Sequence, residues 1–446
     1  MTSRIVLVLI AVAMVALPGG LALAEDKAPA PVKCPAGGDD GYVSIFNGKD
    51  LAGWDGLEFW SVKDGMIRGE TTKEKPTRGN TFLIYRGGKD KGMLKNFALK
   101  LKFRIQNGNS GVQFRSFVKD PKRNKHRVAG YQAEVQNKAG KVGFLYDEAR
   151  RGWLVNVGDI MEVNPSEDGK KFKKEVVGKV SDVKKIIAEK YYTNKEWNEY
   201  EIICRGNHIA IYLNGYPTVE LIDNDKKNRT MEGHVCLQIH AGPPMIVDFK
   251  DIKIKKFEAQ YGPAVRLFNG RDLTGWTMKD DQKGTWGVKD GVMTDKGKPF
   301  GFIGTEKDYT NYVLRLQVKH IVKTNSGVLL RSTQLEGKFP KSIEAQVMSG
   351  KMGDIYNFHK FSLKTDPKRT RGAGTRKIHA SNEKPIGQWD AYEITLNKGD
   401  LELRVNNLVQ NIATQCQEIP GKICLQSEGG PLEFRNIVLI PIINKK

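Results

Sequence analysis

Cysteine is scarce in this chain, and its scarcity excludes two common architectures. The 446 residues contain 5 cysteines, which is too few for a domain held together by disulfide bonds, and their spacing does not resemble a zinc site. Cys236 and Cys424 lie in strand-like apolar runs, so we expect buried thiols there. Two bridges remain open alternatives, Cys204 with Cys236 and Cys416 with Cys424.

Long apolar runs are also lacking, except at the N-terminus. There Arg4 precedes the run IVLVLIAVAMVAL, which ends at Pro18 and is followed by Ala-Leu-Ala at positions 22–24. The run is shorter than the roughly 18 apolar residues that a membrane span needs. It therefore predicts a secretory signal peptide over residues 1–24 rather than a membrane anchor, and a secreted or periplasmic protein. Residues 25–41, rich in Ala, Pro and Gly, are expected to form a flexible leader.

Helical periodicity is nearly absent, and strict alternation of apolar and polar residues takes its place. The segment FALKLKFRI at 97–105 puts its apolar residues on one face and its basic residues on the other, as a half-buried antiparallel strand does. Many short segments of this kind are separated by Gly, Asn and Asp turns. Only residues 180–190 are a candidate helix. The pattern predicts an all-β protein made of antiparallel β-sandwiches.

The same ordered set of segments occurs twice. IFNGKDLAGW at 45 is matched by LFNGRDLTGW at 267, NSGVQFR at 109 by NSGVLLR at 325, and CLQIHAGPP at 236 by CLQSEGGP at 424. A fixed order over half the chain indicates two copies of one domain. We place copy one at residues 42–258 and copy two at residues 264–442, joined near Tyr261-Gly262-Pro263.

The formal net charge of +21 is concentrated in basic stretches at 168–190 and 366–377. Such stretches either attract an anionic surface or glycan, or form solvated loops, and the second interpretation is favoured. Aromatic residues do not interleave with these lysines as they would in a nucleic-acid platform. We therefore expect no nucleic-acid partner, and no membrane contact beyond charge attraction.

Polar residues two positions apart share one face of a strand. Glu134 and Gln136 form such a pair, as do Gln238 with His240 and Gln113 with Arg115. So rich a polar face cannot be the inner face of a sandwich, and we expect an outer, concave surface. Any one pair is typical of an ordinary solvated strand, but recurrence in copy two favours a site. The recurring residues in copy two are Arg331, Glu344, Gln346, Tyr356 and Gln426, with Glu428 at the position of His240.

The ordered set FNGKDLAGW, W-x-V-K-D-G, NSGV-x-x-R, E-x-Q, W-N-x-Y-E-I, LNG and L-Q-x-H resembles the 3-keto-disaccharide hydrolase domain family. The resemblance covers residues 42–257 and again 264–441, and it implies a jelly-roll fold of the laminin-G and concanavalin A type. It also implies an enzyme that acts on carbohydrate, namely on glycosides oxidised at C3. The ketone acidifies the C2 proton, so a base can remove it, the aglycone leaves from C1, and water then adds.

The resemblance suggests roles for individual residues of copy one. Glu134 and His240 would share acid and base duty, and Arg115 would hold the oxyanion. The residues expected to bind sugar hydroxyls or stack on a ring are Gln136, Tyr146, Trp197, Asn214 and Gln238. The same donors could instead hold a divalent cation.

Copy two departs from this pattern, because Glu428 cannot supply the imidazole of His240. We expect copy two to be weaker, altered in specificity or purely binding. The rival interpretation of the whole chain is a tandem carbohydrate-binding protein without catalysis.

Overall fold

The computed structural model describes residues 41–444, and strands dominate it. The predicted signal peptide at 1–24 and the predicted leader up to residue 40 lie outside the described residues. Within the described range no helix is both long and apolar enough to cross a membrane. The all-β prediction is confirmed.

Copy one contains strands β1 to β17, one α-helix (α1) and one turn of 3-10 helix at Leu57–Phe59. The strands and helix are β1 Val43–Ser44, β2 Trp54–Asp55, β3 Trp60–Lys63, β4 Met66–Thr71, β5 Thr81–Tyr85, β6 Phe97–Ile105, β7 Asn109–Asp120, β8 Asn124–Gln136, β9 Leu145–Glu148, β10 Gly152–Val155, β11 Asp159–Pro165, β12 Phe172–Lys179, α1 Val183–Ala188, β13 Asn198–Arg205, β14 His208–Leu213, β15 Tyr216–Asp223, β16 His234–Ile239 and β17 Met245–Lys256.

Strand β18 (Gln260–Tyr261) lies in the linker, and copy two contains β19 to β34 with a 3-10 turn at Asp280–Gln282. Its strands are β19 Val265–Arg266, β20 Trp276–Met278, β21 Trp286–Lys289, β22 Val292–Asp295, β23 Gly301–Thr305, β24 Tyr312–His320, β25 Gly327–Thr333, β26 Lys341–Gln346, β27 Ile355–Phe358, β28 Thr370–Arg371, β29 Gly374–Thr375, β30 Trp389–Asn397, β31 Asp400–Val405, β32 Leu408–Ala413, β33 Lys422–Ser427 and β34 Leu432–Ile443.

Each copy is a sandwich of two sheets. In copy one, sheet 1A has the order β12-β11-β15-β14-β13-β6-β17-β4-β3, with β1 added on β17, and sheet 1B has the order β10-β9-β8-β7-β16-β5-β2. In copy two, sheet 2A has the order β21-β22-β34-β24-β30-β31-β32, with β18 and β19 on β34, and sheet 2B has the order β20-β23-β33-β25-β26-β27-β29-β28. The pairing of β11 with β15 is parallel.

The core of copy one lies between sheets 1A and 1B. Alternate residues of β6 are buried from Phe97 to Ile105, as the sequence predicts, and Lys100, Lys102 and Arg104 point the other way. Val112 of β7 and Val135 of β8 meet them from the opposite sheet. These residues of sheet 1B point into the core. The residues between them on the same strands point the other way and form a separate outer face.

The expected helix is α1, and it begins at a capping residue. The Asp182 carboxylate accepts hydrogen bonds from the backbone N–H of Lys184 (2.9 Å) and Lys185 (3.3 Å), which satisfies donors that the first turn leaves free. The helix and β10 to β12 occupy the stretch between Tyr146 and Trp197, which is longer in copy one than in copy two.

The inserted strands of copy one contact copy two. The carbonyl of Val180 accepts a hydrogen bond from Gln317 Nε2 (3.0 Å), and that of Lys179 accepts one from Asn436 Nδ2 (2.7 Å). The basic stretch at 168–190 is therefore in part a structural contact, and not only a solvated loop.

A buried ion-pair network also joins the copies. Arg315 of copy two donates to Glu220 (2.6 Å) and to the Tyr212 hydroxyl (2.7 Å) of copy one, and it also contacts Glu393. Arg205 of copy one completes the network by pairing with Glu393 at 2.8 Å. An apolar cluster lies beside it, formed by Ile222, Ala264, Val313, Val438, Ile440 and Ile442.

The four cysteines in the described range, Cys204, Cys236, Cys416 and Cys424, are buried free thiols, so neither of the two bridges left open by the sequence is formed.

Candidate functional site

The outer face of sheet 1B is a floor of buried polar side chains. Gly111 of β7 lies opposite Glu134 of β8, and the pairing of Leu237 with Val112 places Gln238 of β16 on the other side of Gly111. Glu134 is 3% exposed and Gln238 is fully buried. Five predicted site residues meet on this face, namely Glu134, Gln136, Tyr146, Gln238 and His240.

Glu134 is held by amide donors. Asn109 Nδ2 and Gln136 Nε2 (2.8 Å) donate to Oε1, and Gln132 Nε2 donates to Oε2 (2.9 Å). Burial raises the pKa of the Glu134 carboxyl, while these donors and the His240 charge oppose the shift. The result is a fixed carboxyl group that holds a proton more readily than an exposed glutamate.

A chain of amides extends from Glu134 across the floor. Gln132 Oε1 accepts from Gln113 Nε2 at 2.8 Å, and Gln132 Nε2 lies 3.4 Å from Gln238 Oε1. Gly111 makes room for this arrangement, because a Cβ there would overlap the Gln132 carboxamide. Gln238 Nε2 has no hydrogen-bond partner in the described protein and is a free donor at the floor.

His240 stands at the exposed rim of the floor. Its Nδ1 lies 2.6 Å from the Ala241 carbonyl. That oxygen can only accept a hydrogen bond, so Nδ1 donates to it and Nε2 is the ring nitrogen left to exchange a proton with a ligand. His240 opposes the rise that burial causes in the pKa of Glu134 and of Glu148.

Glu148 is a site residue that the sequence analysis missed. Burial raises the pKa of its carboxyl, and one oxygen accepts from Asn80 Nδ2 at 3.2 Å. Glu148 is two residues beyond Tyr146 on β9, so the alternation rule that selected Gln136 would also have found it. The charges of Glu148 and Glu134 both contribute to the raised pKa of the Tyr146 hydroxyl, after burial.

The expectation that Arg115 shares this face is wrong. Arg115 is 1% exposed, and its guanidinium donates to the carbonyls of Lys95 (2.8 Å) and Gly206 (2.7 Å). Its backbone is left-handed (φ 49°) at a β-bulge, where the register of β7 shifts and the alternation breaks. Arg331 has the same conformation (φ 48°) and binds carbonyls in the same way, so both arginines are structural.

Asn214 and Trp197 also lie away from the floor, next to sheet 1A. Asn214 closes the hairpin between β14 and β15: its Oδ1 accepts from Glu199 N–H (2.8 Å), and its Nδ2 donates to the Tyr191 carbonyl (3.0 Å). The Trp197 ring packs under Lys250, whose ammonium is 4.0 Å from the ring centroid. Neither side chain is placed to bind a ligand beside Glu134.

The register shows that the two E-x-Q segments are not equivalent residue by residue. Tyr356 pairs with Glu344, whereas Tyr146 of copy one pairs with Gln132. The carbonyl that accepts from the buried core tyrosine belongs to Glu134 in copy one and to Gln346 in copy two. Glu344 therefore occupies the position of Gln132, and Gln346 that of Glu134, a shift of two residues from the match of letters.

In copy two the residues that meet on the outer face of sheet 2B are Glu344, Tyr356, Gln426 and Glu428. Gln346 is turned away, because its Oε1 accepts from the backbone N–H of Val347 (2.9 Å) and Met348 (2.8 Å). Copy two thus lacks a carboxylate at the Glu134 position as well as an imidazole at the His240 position.

Among residues 41–444, no group of three or more His, Cys, Asp or Glu side chains is arranged to hold a metal ion. A cleft of about 410 Å³ lies between the two copies, far from the floor of sheet 1B, and its lining includes the ion-paired Arg205 and Glu393. The chemistry-bearing residues and this cleft are therefore separate features.

Several solved structures share similarity with parts of this chain. The carbohydrate-binding module CBM66 from Bacillus subtilis is 16% identical, with 46% of this chain and 96% of that chain covered and a TM-score of 0.28. The laminarinase catalytic domain from Thermotoga maritima MSB8 is 13% identical, with 42% and 100% covered and a TM-score of 0.30. A β-glucanase from Bacillus licheniformis is 15% identical, with 42% and 98% covered and a TM-score of 0.30. No curated protein matches the chain.

The family comparison covers both copies. The model of the 3-keto-alpha-glucoside-1,2-lyase-like domain matches residues 41–255 and again residues 263–440. These ranges agree with the two copies inferred from the repeated segments and with the two sandwiches of the structure. The chain therefore belongs to the 3-keto-alpha-glucoside-1,2-lyase-like domain family and carries two tandem copies of its domain.

Proposed function

We propose that copy one is an enzyme that removes the C2 proton of a 3-keto-glycoside and releases the aglycone from C1. The observation that carries the proposal is the pairing, on one polar floor, of a buried carboxyl group (Glu134) with an imidazole at the rim (His240). Family membership supports the substrate class. An acid and a base in different surroundings are what an elimination requires.

The reaction balances as an elimination followed by hydration. The base takes the C2 proton, and the electron pair moves toward the C3 ketone to give an enediolate. The enediolate then expels the aglycone oxygen from C1, which takes a proton from the acid and leaves as an alcohol. Water adds across the new C1–C2 double bond to give the free 3-keto sugar, so the overall change is hydrolysis.

The geometry supports a specific division of labour. Glu134 is the base, because its position is fixed by amide donors and its raised pKa makes its carboxylate a stronger base than an exposed one. Gln238, rather than Arg115, stabilises the oxyanion, because its Nε2 is a buried donor without a partner in the described protein. His240 is the acid, because it stands at the open rim where an aglycone would leave.

The test uses two 3-keto-glucosides that differ only in the aglycone, nitrophenol or a simple alcohol. Glu134→Gln should lower kcat at least 100-fold for both substrates, since every turnover needs the base. His240→Ala should lower kcat strongly for the alcohol and only a few-fold for nitrophenol, which leaves without protonation. Glu258→Gln, at an exposed glutamate of the same copy, is the matched control.

Two results would contradict the proposal. Sugar binding without turnover of either substrate, at any metal supplement, would favour the non-catalytic carbohydrate-binding interpretation. Equal losses for both aglycones in His240→Ala would remove the acid role of that residue.

We also propose that the protein is exported. The support is the Arg4 charge, the apolar run that ends at Pro18 and the Ala-Leu-Ala sequence at 22–24. N-terminal sequencing of protein recovered from the medium or periplasm should begin at Glu25. Recovery of the full-length chain from the cytoplasm alone would contradict export.

A further inference from the structure

The outer face of sheet 2B contains a cluster of polar groups that the reaction in copy one does not use. Glu344 is 2% exposed, and its Oε1 has no hydrogen-bond partner within the described protein. Gln426 is fully buried, and both atoms of its carboxamide are without a partner there. A buried polar group without a partner costs about 1–3 kcal/mol, so such a cluster indicates that something outside the fold completes it.

The geometry places these groups around one point. Gly327 of β25 pairs with Gln346, and the neighbouring pairing of Val328 with Leu425 puts Gln426 beside Gly327. A Cβ on Gly327 would overlap the Glu344 carboxylate, so that carboxylate leans over the glycine toward Gln426. In copy one the equivalent side chains, Gln132 and Gln238, approach each other to 3.4 Å.

Glu428 adds a second carboxyl group. It pairs with Asn325 across an isolated β-bridge, and the Asn325 side chain bonds to it. Asn325 Oδ1 is a further buried atom without a partner. The Glu428 charge and, above all, burial raise the pKa of Glu344 to about 8. The Glu344 carboxyl therefore keeps its proton at neutral pH, beside the half-buried Glu428.

This site on copy two is acidic, whereas the chain as a whole is basic. Relative to copy one, Glu344 replaces the neutral Gln132 and Glu428 replaces the imidazole of His240. In the described range, neither Glu344 nor Glu428 forms an ion pair with a basic side chain. The carboxyl of Glu134, by contrast, has three amide donors and a neighbouring imidazole. Copy two thus lacks amide donors to its buried carboxyl, Glu344, and it lacks the neighbouring imidazole that copy one places beside Glu134.

We propose that the outer face of copy two is a second glycan-binding site, one that selects sugars with a free amino group. A ligand ammonium would lie between Glu344 and Glu428 and supply the missing charge, and adjacent hydroxyls would bond to the Gln426 amide and to Asn325 Oδ1. An anionic sugar is rejected by the carboxyl pair. This binding is independent of the reaction proposed for copy one.

The experiment compares three β-1,4-linked oligosaccharides of equal length that differ only at C2. They carry a free amine (glucosamine oligomer), an acetamide (N-acetylglucosamine oligomer) or a hydroxyl (cello-oligosaccharide), and binding to the full chain is measured by calorimetry at near-neutral pH. We expect the amine to bind at least tenfold more tightly than the other two. Glu344→Gln and Glu428→Gln should each remove that preference.

Two further variants locate the site. Glu134→Gln changes the floor of copy one and should leave the preference for the amine intact, and Glu258→Gln is the exposed control. Circular dichroism and the unfolding temperature show whether Glu344→Gln and Glu428→Gln remain folded. If only Glu344→Gln misfolds, Glu428→Gln alone decides the outcome.

Three outcomes would overturn the proposal. One is equal affinity for the three oligosaccharides, which indicates a general glycan face. Another is a preference for the amine that survives Glu344→Gln and Glu428→Gln, and the third is binding of none of them. Loss of turnover on 3-keto-glucosides would bear only on copy one, so the two proposals fail separately.

Discussion

A buried carboxyl group behaves according to the donors around it, and Glu134 and Glu344 are opposite cases. Glu134 has three amide donors that stabilise its carboxylate against burial. Glu344 has none, and burial together with the charge of Glu428 raises its pKa to about 8. Two residues that match as letters therefore lie in opposite surroundings, one with three amide donors and one with none.

The state of Glu344 leads to a prediction on stability and pH. The folded protein keeps the proton up to about pH 8, whereas the unfolded chain releases it near 4.5. The folded state therefore binds more protons between these values, and this residue makes the protein less stable as the pH rises, by roughly 1.4 kcal/mol per pH unit. Glu344→Gln removes this term, so its free energy of unfolding relative to wild type should rise from about pH 5 to pH 8 and then level off.

Urea unfolding at several pH values measures this difference, with Glu258→Gln as the exposed control. A difference between Glu344→Gln and wild type that stays constant across the range would show that Glu344 ionises normally.

Arg115 gives a second prediction at this scale. Its guanidinium satisfies the carbonyls of Lys95 and Gly206, which a lysine cannot reach together. Arg115→Lys should therefore lower the free energy of unfolding by about 3 kcal/mol. Urea unfolding checks this, and Arg123→Lys, on the exposed tip between β7 and β8, is the matched control. Normal stability with loss of turnover would restore the oxyanion role.

Strand elements were predictable where alternation is uninterrupted and unpredictable where it breaks. In β6 the side chains alternate through all nine residues, so the sequence predicts its buried face correctly. In β7 the left-handed residue is Arg115, and an arginine gives no local signal for a bulge. From this bulge onward, side chains no longer lie on the faces that simple alternation predicts.

The offset between the two E-x-Q segments has a different cause. Side chains alternate between the two faces of a strand with a period of two residues. Two sequences can therefore be aligned two residues out of register, and each side chain still lies on the correct face. Only the partners across the sheet, Tyr146 with Gln132 and Tyr356 with Glu344, reveal the shift. Strand alternation therefore predicted a polar face in both copies, but not which residue of each face is the carboxyl.

The insertion of copy one supplies a prediction at the scale of elements. Its backbone carbonyls at Lys179 and Val180 accept from Asn436 and Gln317 of copy two. Asn436→Ala and Gln317→Ala should each cost about 1 kcal/mol and should speed amide exchange in β12. Hydrogen exchange measures the effect, with Asn228→Ala as the control, because Asn228 bonds within copy one. Unchanged exchange in β12 would mean that the insertion does not depend on copy two.

At the scale of the whole molecule, the two copies are tied together by side chains of both. Arg315 lies between Glu220 and Glu393, and all three are at most 11% exposed in their side chains. Burial alone would raise the pKa of Glu220, but the neighbouring Arg315 and His208 lower it to about 2. A carboxylate so stabilised contributes to stability above its ordinary pKa, and the contribution is lost as the pH falls toward 2.

Breaking this network should separate the unfolding of the two copies. Arg315→Ala leaves two buried carboxylates without their shared partner, which typically costs about 3–5 kcal/mol. We expect wild type to unfold in one calorimetric transition at neutral pH and the variant to show two, the first at lower temperature. Wild type should approach the same behaviour only as the pH falls toward 2, where Glu220 takes up its proton. Lys283→Ala, which removes an exposed pair with Asp280 (2.7 Å), should keep the single transition. A single unshifted transition in Arg315→Ala would show that the apolar contact alone couples the copies.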